Sequence, residues 1–151
     1  MTDPGAEAFR RAAKALNDAG DRELRLGVYR GFRATAKPLG QRMVEGLAAD
    51  MPKRHGLSAR VAASKVSIRN ATTGASPRVQ IVAKGPAGAQ NLQAMNAGTV
   101  RHPVYGDRKV WRAQHVPAGG ASRAFEAGAP VVRAALLREL EQVITDTARK
   151  G

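Results

Sequence analysis

Cationic side chains crowd one stretch of this chain, NAGTVRHPVYGDRKVW, which runs from Asn96 to Trp111. Arg101, Arg108, Lys109 and Arg112 bracket a Tyr-Gly-Asp turn at Tyr105 to Asp107, beside the only tryptophan, Trp111. Loops that carry arginine near an aromatic ring can grip phosphates and stack on bases, and the same groups can meet carboxylates on another protein. Lys53 and Arg54, with Arg60 shortly after, form a second basic group, and Lys65, Arg69 and Arg78 a third. Trp111 either pins its loop onto the domain body or anchors a subunit or partner interface, where Trp and Arg are enriched. The flanking Arg108, Lys109 and Arg112 favour a surface role.

The parts an enzyme needs are missing. The histidines are His55, His102 and His115, and Asp107 is the one acid between residues 51 and 120. General acid–base or metal-assisted catalysis needs a base held by an orienting group, or at least three ligands. A His102–Asp107–His115 site would have to be assembled on a loop, where a lone histidine is more often a hydrogen-bonding surface residue. Gly85-Pro86-Ala87-Gly88 lacks the Gly-Lys-Ser/Thr ending of a phosphate loop. Ser58, Ser64 and Ser122 lack the paired glycines of a nucleophile elbow. With zero cysteines, disulfides and thiolate metal sites are excluded, and a reducing cytoplasm is a consistent setting. No catalytic residue, metal or cofactor is expected.

The net charge of +13 is unevenly spread. Residues 1–50 hold nine Lys/Arg against seven Asp/Glu, and residues 121–151 hold five against four. Residues 51–120 hold eleven against one, a net of +10. A solvated basic face would account for this, as would a nucleic acid or an acidic protein surface as partner. Neither a helix-turn-helix nor a zinc-finger pattern accompanies the charge, so sequence-specific DNA reading is not expected.

The elements that must position these groups are legible from periodicity. At 151 residues the chain fits one domain, expected over 1–151, with the basic loop and strand region at about 51–120. Aromatics are only 4%, so the core is built from Ala, Val and Leu and is thin per residue. No apolar run approaches the ~20 residues of a membrane span, and no signal-peptide pattern is seen. Residues 5–17 predict a short amphipathic helix with Phe9, Ala12, Ala13 and Leu16 on one face. A longer helix follows from about Asp21 to Asp50, with the stripe Val28, Phe32, Ala36, Leu39, Met43 and Leu47. Pro38 inside it predicts a kink or break.

The middle reads as β. Val66 and Ile68 alternate with Lys65, Ser67 and Arg69, and Val79 and Ile81 with Arg78 and its neighbours, giving two strands joined by a long loop at Ala71 to Pro77. Gly56 to Ala63 is ambiguous between a helical turn and a strand. Gln90 to Ala97 predicts a short helix, and Val100 to Val104 an additional edge strand, since Pro103 argues against a central one. His115 to Ser122 reads as loop. A last helix starts near Ala121 to Glu126, or regularly only at Ala129 because of Pro130. Its stripe is Phe125, Ala129, Val132, Leu136, Leu140, Val143 and Thr147. The expected fold is α+β, a small antiparallel sheet packed against the long N-terminal helix and the C-terminal helix. Its core is Val28, Phe32, Leu39, Met43, Leu47, Val66, Ile68, Val79, Ile81, Val132, Leu136, Leu140 and Val143.

A short helix at Leu92 to Met95, a Gly98-Thr99 step, His102-Pro103, Tyr105 with Trp111, and a final helix over Phe125 to Ala148 follow one another in that order. In this the chain resembles the tail-completion or tail-terminator proteins of long-tailed bacteriophages, the neck proteins at the head–tail junction. The likeness is carried by roughly the C-terminal two fifths, and elsewhere by element order alone. It implies a non-enzymatic structural protein of the virion neck, assembled in the host cytoplasm. It also implies a homo-oligomeric ring, of six copies, around the channel through which genomic DNA passes. Such a ring caps the tail tube and docks on the head-side connector or stopper protein, with no membrane involved. The basic face would then serve ring-to-ring contacts or a site that holds the DNA end. The rival is a small basic nucleic-acid-binding protein that forms no ring.

Overall fold

The computed structural model describes residues 22–71, 78–86, 91–104 and 107–150, together with Glu7, Arg10, Arg11, Lys14 and Asp18. Helix α1 spans Arg22–Asp50, a single 3-10 turn Arg54–Gly56, and α2 Leu57–Ala62. Strands β1 (Lys65–Ala71) and β2 (Arg78–Lys84) follow, then α3 (Leu92–Asn96), β3 (Thr99–Val104), β4 (Asp107–His115) and α4 (Gly120–Lys150). The fold is α+β. Of the expected first helix, the four described residues are helical and exposed, as is Asp18 just past its expected end, and Lys14 pairs with Asp18 at 3.3 Å. Its apolar face, Phe9, Ala12, Ala13 and Leu16, lies outside the described residues, as do Tyr105 and the loop 72–77.

Helix α1 is not broken at Pro38. The proline removes one donor, the partner of the Ala34 carbonyl four residues earlier, and both residues are exposed, so water can take its place. Pro130 sits inside α4 in the same way, and it and Glu126 are exposed. That helix therefore starts at Gly120, earlier than Pro130 alone suggests. Its first turn is capped from a distance: the Asn96 side chain accepts from the backbone N–H of Ala121 (2.9 Å) and Ser122 (3.4 Å) and donates to Ser122 Oγ (2.8 Å). These bonds satisfy donors that a helix start leaves open.

The contacts divide the chain into two compact units, each drawn from separate stretches. The first comprises Met1–Leu39, Ser67–Val82 and Gly128–Gly151. Its core is Val28, Phe32 and Leu140, with Tyr29, Val79, Leu136 and Val143 packed against them. Here strand β2 reaches the cluster through Val79. The second comprises Gly40–Val66 and Ala83–Ala127. Leu47, Ala48, Met51, Val61, Met95 and Val100 form its core, flanked by Leu57, Leu92, Val116 and Ala121. Gly46 and Gly120 lie backbone to backbone in this unit, and a Cβ on either would collide with the other's carbonyl. Arg123 closes the same corner, donating to Asp50 Oδ2 at 2.7 Å.

The α1 stripe is buried at Val28, Phe32, Ala36, Leu39 and Leu47 and half-buried at Met43. Val44 and Ala48 are buried too, because 3.6 residues per turn widens the face as the stripe drifts, and so is Met51 just past the helix end. On the strands Ile68 is buried and Val66, Val79 and Ile81 are half-buried. Of the large apolar residues described on α4 only Leu140 is fully inside, with Val132, Leu136 and Val143 half-buried and Phe125 44% exposed. The ambiguous segment after Gly56 is helix α2, and its Val61 is completely buried. Instead of one sheet with an added edge strand there are two separate antiparallel pairs, β1–β2 and β3–β4. Strand β3 does not join the first sheet; it pairs with β4, a strand that periodicity alone does not reveal.

A basic beta ribbon as candidate functional site

Strands β3 and β4 form an antiparallel ribbon whose base is tied into the core of the second unit. Val100 is buried there, and below it the Val116 N–H donates to Gly98 O at 3.1 Å. Gly98 has a φ of +89°, and a Cβ at that position would crowd Val116 O and the Ala118 methyl at 3.1 Å. The Gly98-Thr99 step is therefore a place where only glycine fits without strain. Above the base the ribbon is open: all nine residues of β4 are exposed.

The register sets which side chains share a face. Thr99 pairs with His115, Arg101 with Ala113 and Pro103 with Trp111, while Val100 pairs with Gln114 and His102 with Arg112. Directly opposed residues lie on one face and neighbours alternate. Arg101 thus shares a face with Trp111, and Arg112 shares the other with His102. Between the Pro103–Trp111 and Val104–Asp107 pairs β4 carries three extra residues, Arg108, Lys109 and Val110. Two side chains hold this bulge. Asp107 Oδ1 accepts from the Lys109 N–H at 2.8 Å, and Trp111 Nε1 donates to Arg108 O at 2.7 Å.

Trp111 is 48% exposed and so does not pin the segment into the core; its N–H serves the ribbon itself. Arg101, Arg108, Lys109 and Arg112 are all exposed, and among the described residues none of them pairs with a carboxylate. The ribbon's one acid, Asp107, is engaged with a backbone N–H. Four uncompensated cations therefore surround a thin strand pair. His102 and His115 sit on opposite faces of it, which keeps them and Asp107 from converging. Among the described residues no cluster of three or more His, Cys, Asp or Glu could hold a metal ion.

The remaining basic residues lie elsewhere. Lys53 and Arg54 are exposed at the turn after α1, followed by His55 and Gly56 with φ of +62° and +73°, and Arg60 is exposed on α2. Lys65 and Arg69 occupy exposed positions of β1, and Arg78 of β2. Sequence reasoning named the ribbon's cations but missed His102 as the neighbour of Arg112 and Asp107 as the lock on the bulge. The Tyr-Gly-Asp turn between two short polar runs was the available signal for a hairpin. No helix of the described residues is long and apolar enough to cross a membrane. Comparison with protein-family models, curated proteins and solved structures gives no match to this chain.

Proposed function

We propose that this protein is a non-enzymatic structural subunit of a bacteriophage neck. Copies close into a ring, of six, that caps the tail tube and joins it to the head-side connector around the DNA channel. The protein then belongs to the virion, at the head–tail interface, and is assembled in the host cytoplasm. Two lines support the reading: the resemblance carried by Leu92 to Trp111 and the last helix, and the open edges of the sheets. The second carries most weight. Both sheets have two strands, so every described strand is an edge strand with a row of backbone groups facing away from its partner. Strand pairing or close docking between copies satisfies such groups, and an isolated two-stranded ribbon is marginal in water.

Native mass measurement with electron microscopy of the purified protein tests this. A closed ring with a central hole is the expected result, formed alone or on addition of tail tubes. A chain that stays monomeric at high concentration and beside tail tubes overturns it. The ribbon's charge favours one rival, a basic nucleic-acid binder that forms no ring, which would show a monomer or dimer mass.

A further inference from the structure

We propose that the β3–β4 ribbon is a clamp for the phosphate backbone of duplex nucleic acid, seated in a groove. The inference starts from where the charge lies. A surface that docks flat on a protein needs cations on one face only. Here Arg101 lies on one face, Arg112 on the other, and Arg108 with Lys109 in the bulge beyond the last regular pair. Both faces of the ribbon and its bulge therefore carry cations.

A duplex groove is the acidic partner whose charges flank an inserted element on both sides. Its two walls are lines of phosphates, and counterions released from them drive binding. The size agrees. Two strands stand about 4.8 Å apart, and a two-stranded ribbon enters a B-form major groove about 12 Å wide. The ribbon is also prepared to give up water. Its cations have no carboxylate partner among the described residues, so no ion pair must break before phosphate binds. The one acid is turned to its own backbone by the 2.8 Å bond to the Lys109 N–H. Trp111 braces the bulge from the Arg101 face, and the bonds at Asp107 and Trp111 hold the backbone from which the Arg108 and Lys109 side chains extend. The bulge carries no Asn or Gln to pair with adenine, and the proposed contacts are to phosphates, which position a protein without carrying sequence information.

The inference does not require that copies close into a ring, and its test separates from the test of assembly. The full chain is titrated with a 20-base-pair duplex of arbitrary sequence over about 50–200 mM salt, with Trp111, the sole tryptophan, as the fluorescent reporter. The expected dependence of log affinity on log salt is steep, and each lost phosphate contact lowers the slope by about 0.9. Arg101→Gln and Arg112→Gln, on opposite faces, should each lower it by about that amount. The fourfold Arg101→Gln, Arg108→Gln, Lys109→Gln, Arg112→Gln variant should lower it by roughly 3 to 4 and weaken binding more than about tenfold at 100 mM salt. A Lys53→Gln, Arg54→Gln pair removes charge outside the ribbon and should leave the slope nearly intact. The groove seat is overturned if only one of the two single variants matters, or if the control pair weakens binding as much as the ribbon variants. Absence of salt-dependent duplex binding overturns it as well. So does displacement of the duplex by poly-glutamate of equal charge concentration, which would assign the ribbon to an acidic protein surface. The single variants keep the question open to measurement should the fourfold variant fail to fold.

Discussion

Asn96, half-buried at the end of α3, ties that helix to α4. Its amide reaches the first turn of α4, 25 residues later, through three bonds to Ala121 and Ser122, and its own carbonyl accepts from the Gly119 N–H at 2.7 Å. Asn96→Ala should therefore cost about 1 kcal/mol, the usual worth of a cap. Asn96→Asp keeps the acceptor beside the positive helix end and should retain most of that stability. Denaturant unfolding of the two variants checks both, and equal losses would mean the acceptor is not what matters. His55 offers the opposite case. It is the one described non-glycine residue with positive φ, at +62°. Left-handed geometry costs an L-residue roughly 1–2 kcal/mol, while the extra freedom of glycine in the unfolded chain offsets up to about 1 kcal/mol of the relief. His55→Gly should then stabilise by a few tenths to about 1 kcal/mol. A lower melting temperature would show that the imidazole makes a contact worth more than the strain.

The two long helices were legible because a buried stripe must repeat near 3.6 residues, and Val28 to Leu47 does so with no exception at the exposed Pro38. The second half of α1 was read too narrowly, since Val44 and Ala48 belong to a face that turns as it lengthens. Helix α4 separates periodicity from burial. Leu136 and Leu140 look equivalent in sequence, yet Leu140 is 4% exposed and Leu136 only half-buried. Leu140→Ala should cost 2–5 kcal/mol, while Leu136→Ala should fall at about 2 kcal/mol or less, because its site can fill with water or relax. Thermal melts of the pair decide, and the reverse order would place the core on the wrong side of α4. Strand β4 was illegible for a different reason. Every one of its residues is exposed, so there is no apolar alternation to read. The types of the ribbon's cations were visible from sequence. Their distribution over both faces was not, because it depends on register, and a slip of one residue would exchange the faces.

At the scale of the whole molecule the chain is lightly built. Among the described residues the largest side chains with almost no exposure are Phe32 and Val61, and the second unit's core relies on Leu, Met, Val and Ala. Apolar burial contributes about 25 cal/mol per Å², so a core poor in aromatics leaves a small margin over conformational entropy. Large hydrophobic side chains also remain outside: Val131 is 70% exposed, and Val110, Trp111 and Ile144 are each 48% exposed. If copies of the chain cover such surface, as proposed, mass action makes its unfolding depend on concentration. The melting temperature should rise by several degrees as protein concentration is raised about 100-fold, in step with the appearance of the assembled species in native mass spectra. Variants at exposed strand positions, such as Val110→Lys, should reduce that rise while leaving the dilute melting temperature almost unchanged, since surface substitutions away from the core usually shift stability by about 0.5 kcal/mol or less. A melting temperature that stays constant over the full range would show that each subunit stands alone. The open strands and exposed apolar residues would then have to be explained by a partner other than a second copy of this chain.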